Sequence, residues 1–276
     1  MLAMHATSFL RLLINRVPKH APSSMKLSTS STLLPLLSTS LTSLSSEISE
    51  SLHSKGYWHT PDSNPLLPLS EIKLLRSESL QLRAQNRFEQ SYSESITSSG
   101  HATRFDKPGV YACEPDGTDY DTAPNLLTYM SHLIREFPEL LNEGPRSYGI
   151  SNEAFNAKLA VTSSGGSGYP KHIDNPRGLA AGDTRKLTCI LYLNPSYVPS
   201  HLGLLHLHLH TSTISISPSP GRFVCFWSDL IPHSVEKTSE EYVGEEYDRY
   251  AITVWMPTVD GRNIHDPESP FIDLKV

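Results

Sequence analysis

The second half of the chain is a succession of short β-type runs, and this pattern constrains the fold more than any other feature. From Ala157 onward, runs rich in β-branched, aromatic and alternating apolar residues are separated by Gly, Pro, Asn and Ser. The runs are AKLAVTS, RKLTCILYLN, GLLHLHLH, TSTISISPS, RFVCFWSD, HSVEK and RYAITVWM. Many short strands with turn signals between them predict a sandwich or jelly roll, with a strand core at about 157–258.

Helical patterns come before these strands. Ser70 suits the N-cap of a helix that runs to about Gln85, with Ile72, Leu75 and Leu82 on one face. The segment PNLLTYMSHLIREF begins with a proline, which suits a first helical turn, and continues with an apolar stripe at helical spacing. Helices first and strands later predict the α+β class.

The N-terminal segment has a different composition from the rest of the chain. Residues 1–46 contain no Asp or Glu, since Glu47 is the first acid, and four basic residues lie among Ser, Thr and Leu. This composition predicts a disordered tail or an organelle transit peptide, followed by one domain at 47–276. The compartment is therefore open between the cytoplasm or nucleus and an organelle.

Overall composition narrows the classes of partner. The formal net charge is −6, which does not favour a nucleic acid. No run of about 18 apolar residues occurs, so we expect no membrane span. The three cysteines are far apart in the chain, which argues against a disulfide scaffold or a zinc ribbon and favours buried thiols.

The segment SGYPKHIDNPRG contains the most informative polar pair, His172 and Asp174. In an extended strand, alternate side chains point to the same face, so the imidazole and the carboxylate would project together. His233 follows 59 residues after Asp174, at the start of another β-type run. Two imidazoles and one carboxylate form the facial triad that holds non-haem Fe(II). The spacing alone leaves open a turn-edge His and Asp that bind nothing.

Arg249 supports the metal hypothesis. It begins the run RYAITVW, 16 residues after His233. If 2-oxoglutarate chelated the iron through its keto-acid end, its other carboxylate would lie deep in the barrel, where an unpaired charge is costly. A buried arginine can neutralise that carboxylate with two parallel hydrogen bonds. Tyr192 points inward together with Ile190 and could donate a further hydrogen bond.

These residues belong to a longer ordered series of motifs. It comprises TRFDKPGVY, GYPKHIDNP, TCILYLNP, GLLHLHL, GRFVCFWSD, PHSV and RYAITVWM. Over roughly residues 48–260 the chain resembles the 2-oxoglutarate- and Fe(II)-dependent prolyl hydroxylases, within them the Egl-nine type that modifies the hypoxia-inducible factor. The resemblance implies a double-stranded β-helix, a jelly roll supported by N-terminal helices.

The resemblance also implies roles for individual residues. His172, Asp174 and His233 would bind Fe(II), and Arg249 would bind 2-oxoglutarate with the help of Tyr192. The remaining implied positions are Ile190, Leu205, Val235 and Thr253 in the co-substrate pocket, and Arg185 and Trp255 near the substrate. The implied activity is hydroxylation of a peptidyl proline with O2, releasing succinate and CO2, with ascorbate as reductant. The alternative is a barrel that binds iron or peptide without turnover.

Three features depart from the family pattern, and a fourth complicates the hypothesis. Thr162 stands where relatives usually have a tyrosine that contacts 2-oxoglutarate, which favours the non-catalytic alternative. The segment at 234–248 is longer and more acidic, and "HLG" replaces the usual Gly-Gly before the leucine strand. In the His-rich tract we expect the leucines to face the interior and His206, His208 and His210 to face outward, although such tracts can bind metal.

Overall fold

The computed structural model describes residues 30, 32–96, 102–144, 146–176 and 182–259. Its helices are α1 (Leu33–Lys55), α2 (Leu69–Ala84) and α3 (Pro124–Asn142). Its strands are β1 (Tyr57–His59), β2 (Glu89–Ile96), β3 (Ala102–Cys113), β4 (Asn156–Thr162), β5 (Tyr169–His172), β6 (Arg185–Tyr192), β7 (Leu205–His208), β8 (Thr213–Ile216), β9 (Phe223–Trp227), β10 (His233–Val235) and β11 (Arg249–Pro257).

The strands form two antiparallel sheets. The larger has the order β1-β9-β6-β11-β4-β3-β2, and the smaller has the order β5-β10-β7-β8. From β4 to β11 the chain passes back and forth between the sheets, except at the β7–β8 hairpin, whose two strands both lie in the small sheet, as in a jelly roll. The fold is the double-stranded β-helix that the sequence predicts, and the seven runs quoted above each contribute a strand to it.

Side-chain alternation gives the large sheet two different faces. One face is apolar and packs against the helices, as where Phe137 of α3 meets Phe223 of β9 edge to face, with ring centroids 5.7 Å apart. On β11 the apolar set is Tyr250, Ile252, Val254 and Met256, each at most 1% exposed. The intervening residues of β11 face the lumen between the two sheets, and they are Arg249, Ala251, Thr253 and Trp255.

Helix α1 corrects the predicted N-terminal boundary. The helix begins at Leu33, whereas the sequence predicted a tail up to residue 46. Leu33, Leu37 and Leu41 are at most 1% exposed and form the apolar stripe of this helix, which packs against α3. The acid-free, Ser-rich composition made the segment look like a tail, but its leucine spacing provides a core face. Residues 1–29, which hold most of the acid-free segment, lie outside the described residues.

The predicted helices are confirmed with shifted ends. Helix α2 begins at Leu69 after Pro68, not after an N-cap at Ser70, and α3 has Pro124 in its first turn. None of the helices in the described ranges is long and apolar enough to cross a membrane. Strands β2 and β3 were missed because their sequences are polar and Pro-Gly interrupts β3.

The start of β11 is tied to its surroundings by Asp248, whose side chain is 5% exposed. Its Oδ2 accepts a hydrogen bond from Arg83 of α2 at 2.6 Å, and its Oδ1 accepts one from the Ser164 backbone N–H at 2.7 Å. The neighbouring arginine of α2, Arg76, donates to the Asp248 carbonyl at 3.0 Å and lies over the Tyr250 ring. These contacts determine where Arg249 enters the lumen.

Replacing Asp248 by asparagine is expected to lower the free energy of unfolding by about 1–3 kcal/mol, because a buried charge-assisted hydrogen bond is lost. Urea denaturation followed by circular dichroism measures the change. The control is Glu245→Gln, since the Glu245 carboxylate lies 3.7 Å from the same Arg83 atom but is 60% exposed. Exposed pairs contribute about 0–1 kcal/mol. Equal losses in the two variants would contradict the anchoring role of Asp248.

Candidate metal centre

Two strands of the small sheet bring the histidines together. His172 ends β5 and His233 begins β10, and the two are paired in register across these antiparallel strands. Directly opposed residues share a face of the sheet, so both imidazoles point into the lumen. Their ring centroids are 4.2 Å apart. His233 is buried beneath Phe226, whereas the His172 side chain is 30% exposed.

Asp174 follows β5 and connects the two sheets. Its Oδ2 accepts hydrogen bonds from Thr188 Oγ1 of β6 and Trp255 Nε1 of β11, both at 2.8 Å. Its Oδ1 lies 3.5 Å from His172 Nε2 and 3.7 Å from His233 Nε2. One carboxylate oxygen is thus held by the large sheet, while the other faces the imidazoles.

Backbone carbonyls determine which nitrogen of each histidine faces the centre. His172 Nδ1 lies 3.0 Å from the Pro170 carbonyl, and His233 Nδ1 lies 3.0 Å from the Ile231 carbonyl. A carbonyl only accepts, so each Nδ1 bears the proton and donates it. In a neutral ring the lone pair is then on Nε2, which is the atom that faces Asp174.

The protonation states suit metal binding. Burial lowers the pKa of His233, so the ring is neutral at pH 7. Burial alone would raise the pKa of Asp174, but the neighbouring imidazoles and the hydrogen bond from Trp255 outweigh it. The pKa of this carboxyl therefore lies well below its ordinary range. A neutral imidazole and an ionised carboxylate are the forms that bind metal.

Two of the three separations between the candidate ligand atoms fit a single bound ion. Metal–ligand bonds of about 2.0–2.2 Å require ligand atoms less than about 4.4 Å apart. The two carboxylate–imidazole distances meet this condition, and one atom from each of His172, Asp174 and His233 lies within 4.8 Å of the others. Within the described residues the group consists of two histidines and one carboxylate, which is the set that holds Fe(II) with open positions.

Arg249 lies on the same lumen face, at the deep end. Its Nη2 donates to Tyr192 Oη at 3.0 Å and its Nε donates to the Gly203 carbonyl at 3.0 Å. Arg249 is 9% exposed as a residue, and its guanidinium forms no ion pair with any described carboxylate. Gly203 adopts φ +74, and a Cβ there would lie 3.3 Å from Arg249 Cδ, so the "HLG" turn brings a backbone carbonyl onto this arginine.

The predicted pocket residues form two cross-strand pairs on opposite walls. Ile190 of β6 is paired with Thr253 of β11 in the large sheet. Leu205 of β7 is paired with Val235 of β10 in the small sheet. By strand alternation both pairs lie on lumen faces, the first on the face that holds Arg249 and the second on the face that holds His233. Their role in binding a co-substrate stays a prediction.

The two residues predicted near the substrate both contact Asp174. Trp255 donates to its carboxylate, and Arg185 Nη2 donates to its backbone carbonyl. Arg185 also forms an ion pair with Asp183 and lies 5.7 Å from the Trp255 ring centroid. Their contacts with Asp174 indicate a positioning role in addition to the predicted one.

Two further expectations concern residues at the edges of the lumen. Thr162 is buried and is paired with Arg249 across β4 and β11, so a threonine occupies the lumen wall beside the arginine. In the His-rich tract, Leu205 and Leu207 are at most 1% exposed, while His206 and His208 bond to serines on the outer face. The outward orientation of these two histidines is confirmed.

Sequence reasoning missed three lumen residues. Thr188 lies two residues before Ile190 and four before Tyr192 on β6. The two-residue alternation of side chains along a strand could therefore have identified it as a neighbour of the site. Lys158 alternates in the same way on β4, where it is paired with Thr253. Lys107 had no such signal, because its position depends on an irregularity in β3.

Comparisons with known proteins agree with this site. Residues 157–257 match the family model described as the 2OG-Fe(II) oxygenase superfamily. Egl nine homolog 1 from Homo sapiens is 34% identical over 146 residues, which are 51% of this chain and 30% of that protein. Prolyl hydroxylase EGLN3 from Homo sapiens is 35% identical over 107 residues, covering 37% and 40%. The chain thus spans about a third of the length of these relatives.

Two solved structures of prolyl hydroxylases have a fold similar to that of this chain. A Trichoplax adhaerens prolyl hydroxylase, in complex with a hypoxia-inducible factor oxygen degradation domain peptide fragment, superposes with a TM-score of 0.63 at 22% identity, covering 88% of this chain and all of that one. A Pseudomonas putida prolyl-4-hydroxylase gives a TM-score of 0.59 at 21% identity, covering 78% and 99%. The strand core at residues 157–257, which contains the His172–Asp174–His233 centre, is therefore similar to the 2OG-Fe(II) oxygenase superfamily and has the double-stranded β-helix fold.

Proposed function

We propose that this protein is a 2-oxoglutarate- and Fe(II)-dependent dioxygenase that hydroxylates a proline residue in a protein or peptide. The observation that supports it most is the convergence of His172 Nε2, Asp174 Oδ1 and His233 Nε2. The overall reaction consumes O2 and 2-oxoglutarate; one oxygen atom enters the substrate C–H bond, and the other appears in succinate with release of CO2.

Iron bound by His172, Asp174 and His233 would supply the activation of dioxygen that an unactivated C–H bond requires. The chain's own contribution is to hold the ligand atoms in place. The Pro170 and Ile231 carbonyls fix both imidazoles, and two donors fix Asp174 Oδ2. These outer contacts keep the ligand set preorganised before metal arrives.

Arg249 is suited to bind the far carboxylate of 2-oxoglutarate. A buried guanidinium without a carboxylate partner is unfavourable, and a dianionic co-substrate would supply the missing charge. Tyr192 is fully buried, and its hydroxyl already contacts Arg249. The walls formed by Ile190, Thr253, Leu205 and Val235 suit the short carbon chain of the co-substrate and exclude water.

Proline as the target is supported by relatives that are named prolyl hydroxylases and by the Trichoplax adhaerens enzyme in complex with a peptide. Arg185 and Trp255 lie beside Asp174 at the open side of the lumen, where a substrate would approach. Ascorbate as a reductant stays a prediction from the family resemblance.

A non-catalytic barrel is the second candidate, and Thr162 favours it. This residue is buried beside Arg249 and lacks the phenol that the resemblance leads one to expect. Such a barrel would bind iron and 2-oxoglutarate without forming succinate. Measurement of succinate therefore separates the two candidates.

Anaerobic addition of Fe(II) and 2-oxoglutarate is expected to produce the weak visible absorption band of the chelate, followed by succinate formation in air. Asp174→Ala should abolish both the band and succinate formation.

Arg249→Lys should weaken 2-oxoglutarate binding about 10- to 100-fold, because lysine cannot make two parallel hydrogen bonds, while iron affinity stays within about twofold. Equal loss of iron and co-substrate binding in Arg249→Lys would contradict its role. A band without succinate would support the non-catalytic barrel.

Trp255→Phe is expected to weaken Fe(II) binding about 10- to 100-fold in anaerobic calorimetry, because Asp174 Oδ2 loses a donor that orients the carboxylate. The matched control is Trp227→Phe, which removes an indole hydrogen bond to the Leu52 carbonyl away from the centre. The control should lower the melting temperature but leave iron affinity unchanged. Unchanged iron affinity in Trp255→Phe would show that Thr188 alone positions Asp174.

A further inference from the structure

Two lysines, Lys107 and Lys158, lie at the open side of the lumen and have no part in the proposed chemistry. Their presence is unexpected because the chain as a whole has a net charge of −6. Neither contributes a ligand to the metal centre, and neither belongs to the pocket in front of Arg249. Their positions bear on which substrates the site would accept.

Lys158 is placed in the lumen wall by strand alternation. Its neighbours Ala157 and Leu159 are buried on the helix-facing side of β4. Lys158 is paired with Thr253 of β11, which is paired in turn with Ile190 of β6. Residues opposed across antiparallel strands share a face, so the lysine stem lies on the same face as these two pocket residues.

Lys107 reaches the same region through an irregularity in β3. The pairing of β2 with β3 shifts between Gln90 and Tyr92, leaving extra residues on β3. Gly109 has φ +70 within this segment, and a Cβ there would collide with Ser167. The resulting bulge directs the Lys107 side chain inward, where its ammonium donates to Tyr169 Oη.

Tyr169 connects this ammonium to the metal centre. Its ring contacts the His172 ring at a tilt of 52°, with centroids 4.3 Å apart, and Lys107 Nζ lies 4.0 Å from the Tyr169 ring centroid. Burial and then the nearby charge of Lys158 lower the pKa of Lys107 to about 8, which is consistent with two ammonium groups facing one region. Lys107 therefore remains largely protonated at pH 7.

The carboxylates near Lys107 and Lys158 do not neutralise these ammonium groups strongly, so both could bind a further anion. Lys158 forms one ion pair, with Glu114 at 3.6 Å, in which the side chains are 43% and 62% exposed. Such an exposed pair is weak and easily exchanged. Among the described side chains, no carboxylate pairs with Lys107, whose recorded partner is a phenol. Arg185, in contrast, is already paired with Asp183.

We propose that Lys107 and Lys158 form an anion-recognition site that selects substrates with a carboxylate side chain next to the hydroxylated residue. This inference rests on the proposed function and refines its substrate class. An acidic side chain would pair with two cations that otherwise repel each other. A basic side chain at that position would be rejected for the same reason.

Three pools of synthetic peptides test the proposal. Each pool has a central proline and flanking positions drawn from acidic, amide or basic residues. Binding is measured by fluorescence anisotropy, anaerobically with Fe(II) and 2-oxoglutarate, and turnover by succinate release. We expect the acidic pool to bind about tenfold more tightly than the amide pool, and the basic pool to bind most weakly.

Substitutions of Lys107 and Lys158 test whether these two residues cause the preference for acidic peptides. Lys158→Met and Lys107→Met should each remove most of the acidic preference without changing the binding of 2-oxoglutarate. Lys158→Glu should shift the preference toward the basic pool, a reversal that simple misfolding would not produce. Lys73→Met, an exposed lysine on α2, is the matched control and should behave as wild type.

The outcomes distinguish this inference from the proposed function. Equal binding of the acidic and amide pools, with the iron–2-oxoglutarate band present, overturns the anion site alone. Weaker 2-oxoglutarate binding in Lys158→Met with unchanged peptide preference also overturns it, because the lysine would then serve the co-substrate. Absence of the band in folded wild type rejects the proposed function itself.

Discussion

The carboxylate of Asp174 is the interaction on which the rest of the site depends. Oδ2 is held by donors from β6 and β11 of the large sheet, and Oδ1 faces two imidazoles from the small sheet. One side chain therefore sets the separation of the two sheets at the point where chemistry would occur. The cost of burying this charge is offset because each oxygen has a defined set of partners.

Charge distribution divides the lumen into zones. The deep end contains Arg249, buried and without a carboxylate partner among the described residues, and the middle contains the metal-ligand set. The open side contains Lys107 and Lys158. Positive charge at both ends of the lumen is therefore not neutralised by the protein itself. The proposed co-substrate and the proposed acidic peptide would each bind by neutralising the positive charge at one end.

The segment at 234–248, which the sequence predicted to be longer than in relatives, contacts the interior of the fold. Tyr242 and Tyr247 pack around His201, with ring centroids within 5.0 Å of the imidazole. The segment ends at Asp248, which anchors β11 to α2 directly before Arg249. Long surface loops cost little entropy, and this one is further stabilised by its own aromatic contacts.

The sequence by itself determined the strand pattern from residue 157 onward, the helices α2 and α3, and the candidate ligands His172, Asp174 and His233. These features follow from local period and from residue chemistry, whereas the four pocket residues were implied by the family resemblance. Tertiary structure decided the helical start at Leu33, the donors on Asp174 and the position of Lys107. Each of these depends on packing or pairing between distant segments: Thr188 and Trp255 meet Asp174 only because antiparallel strands place them there, and Lys107 enters the lumen only through a bulge. Local propensity does not encode such long-range contacts, so only the folded chain reveals them.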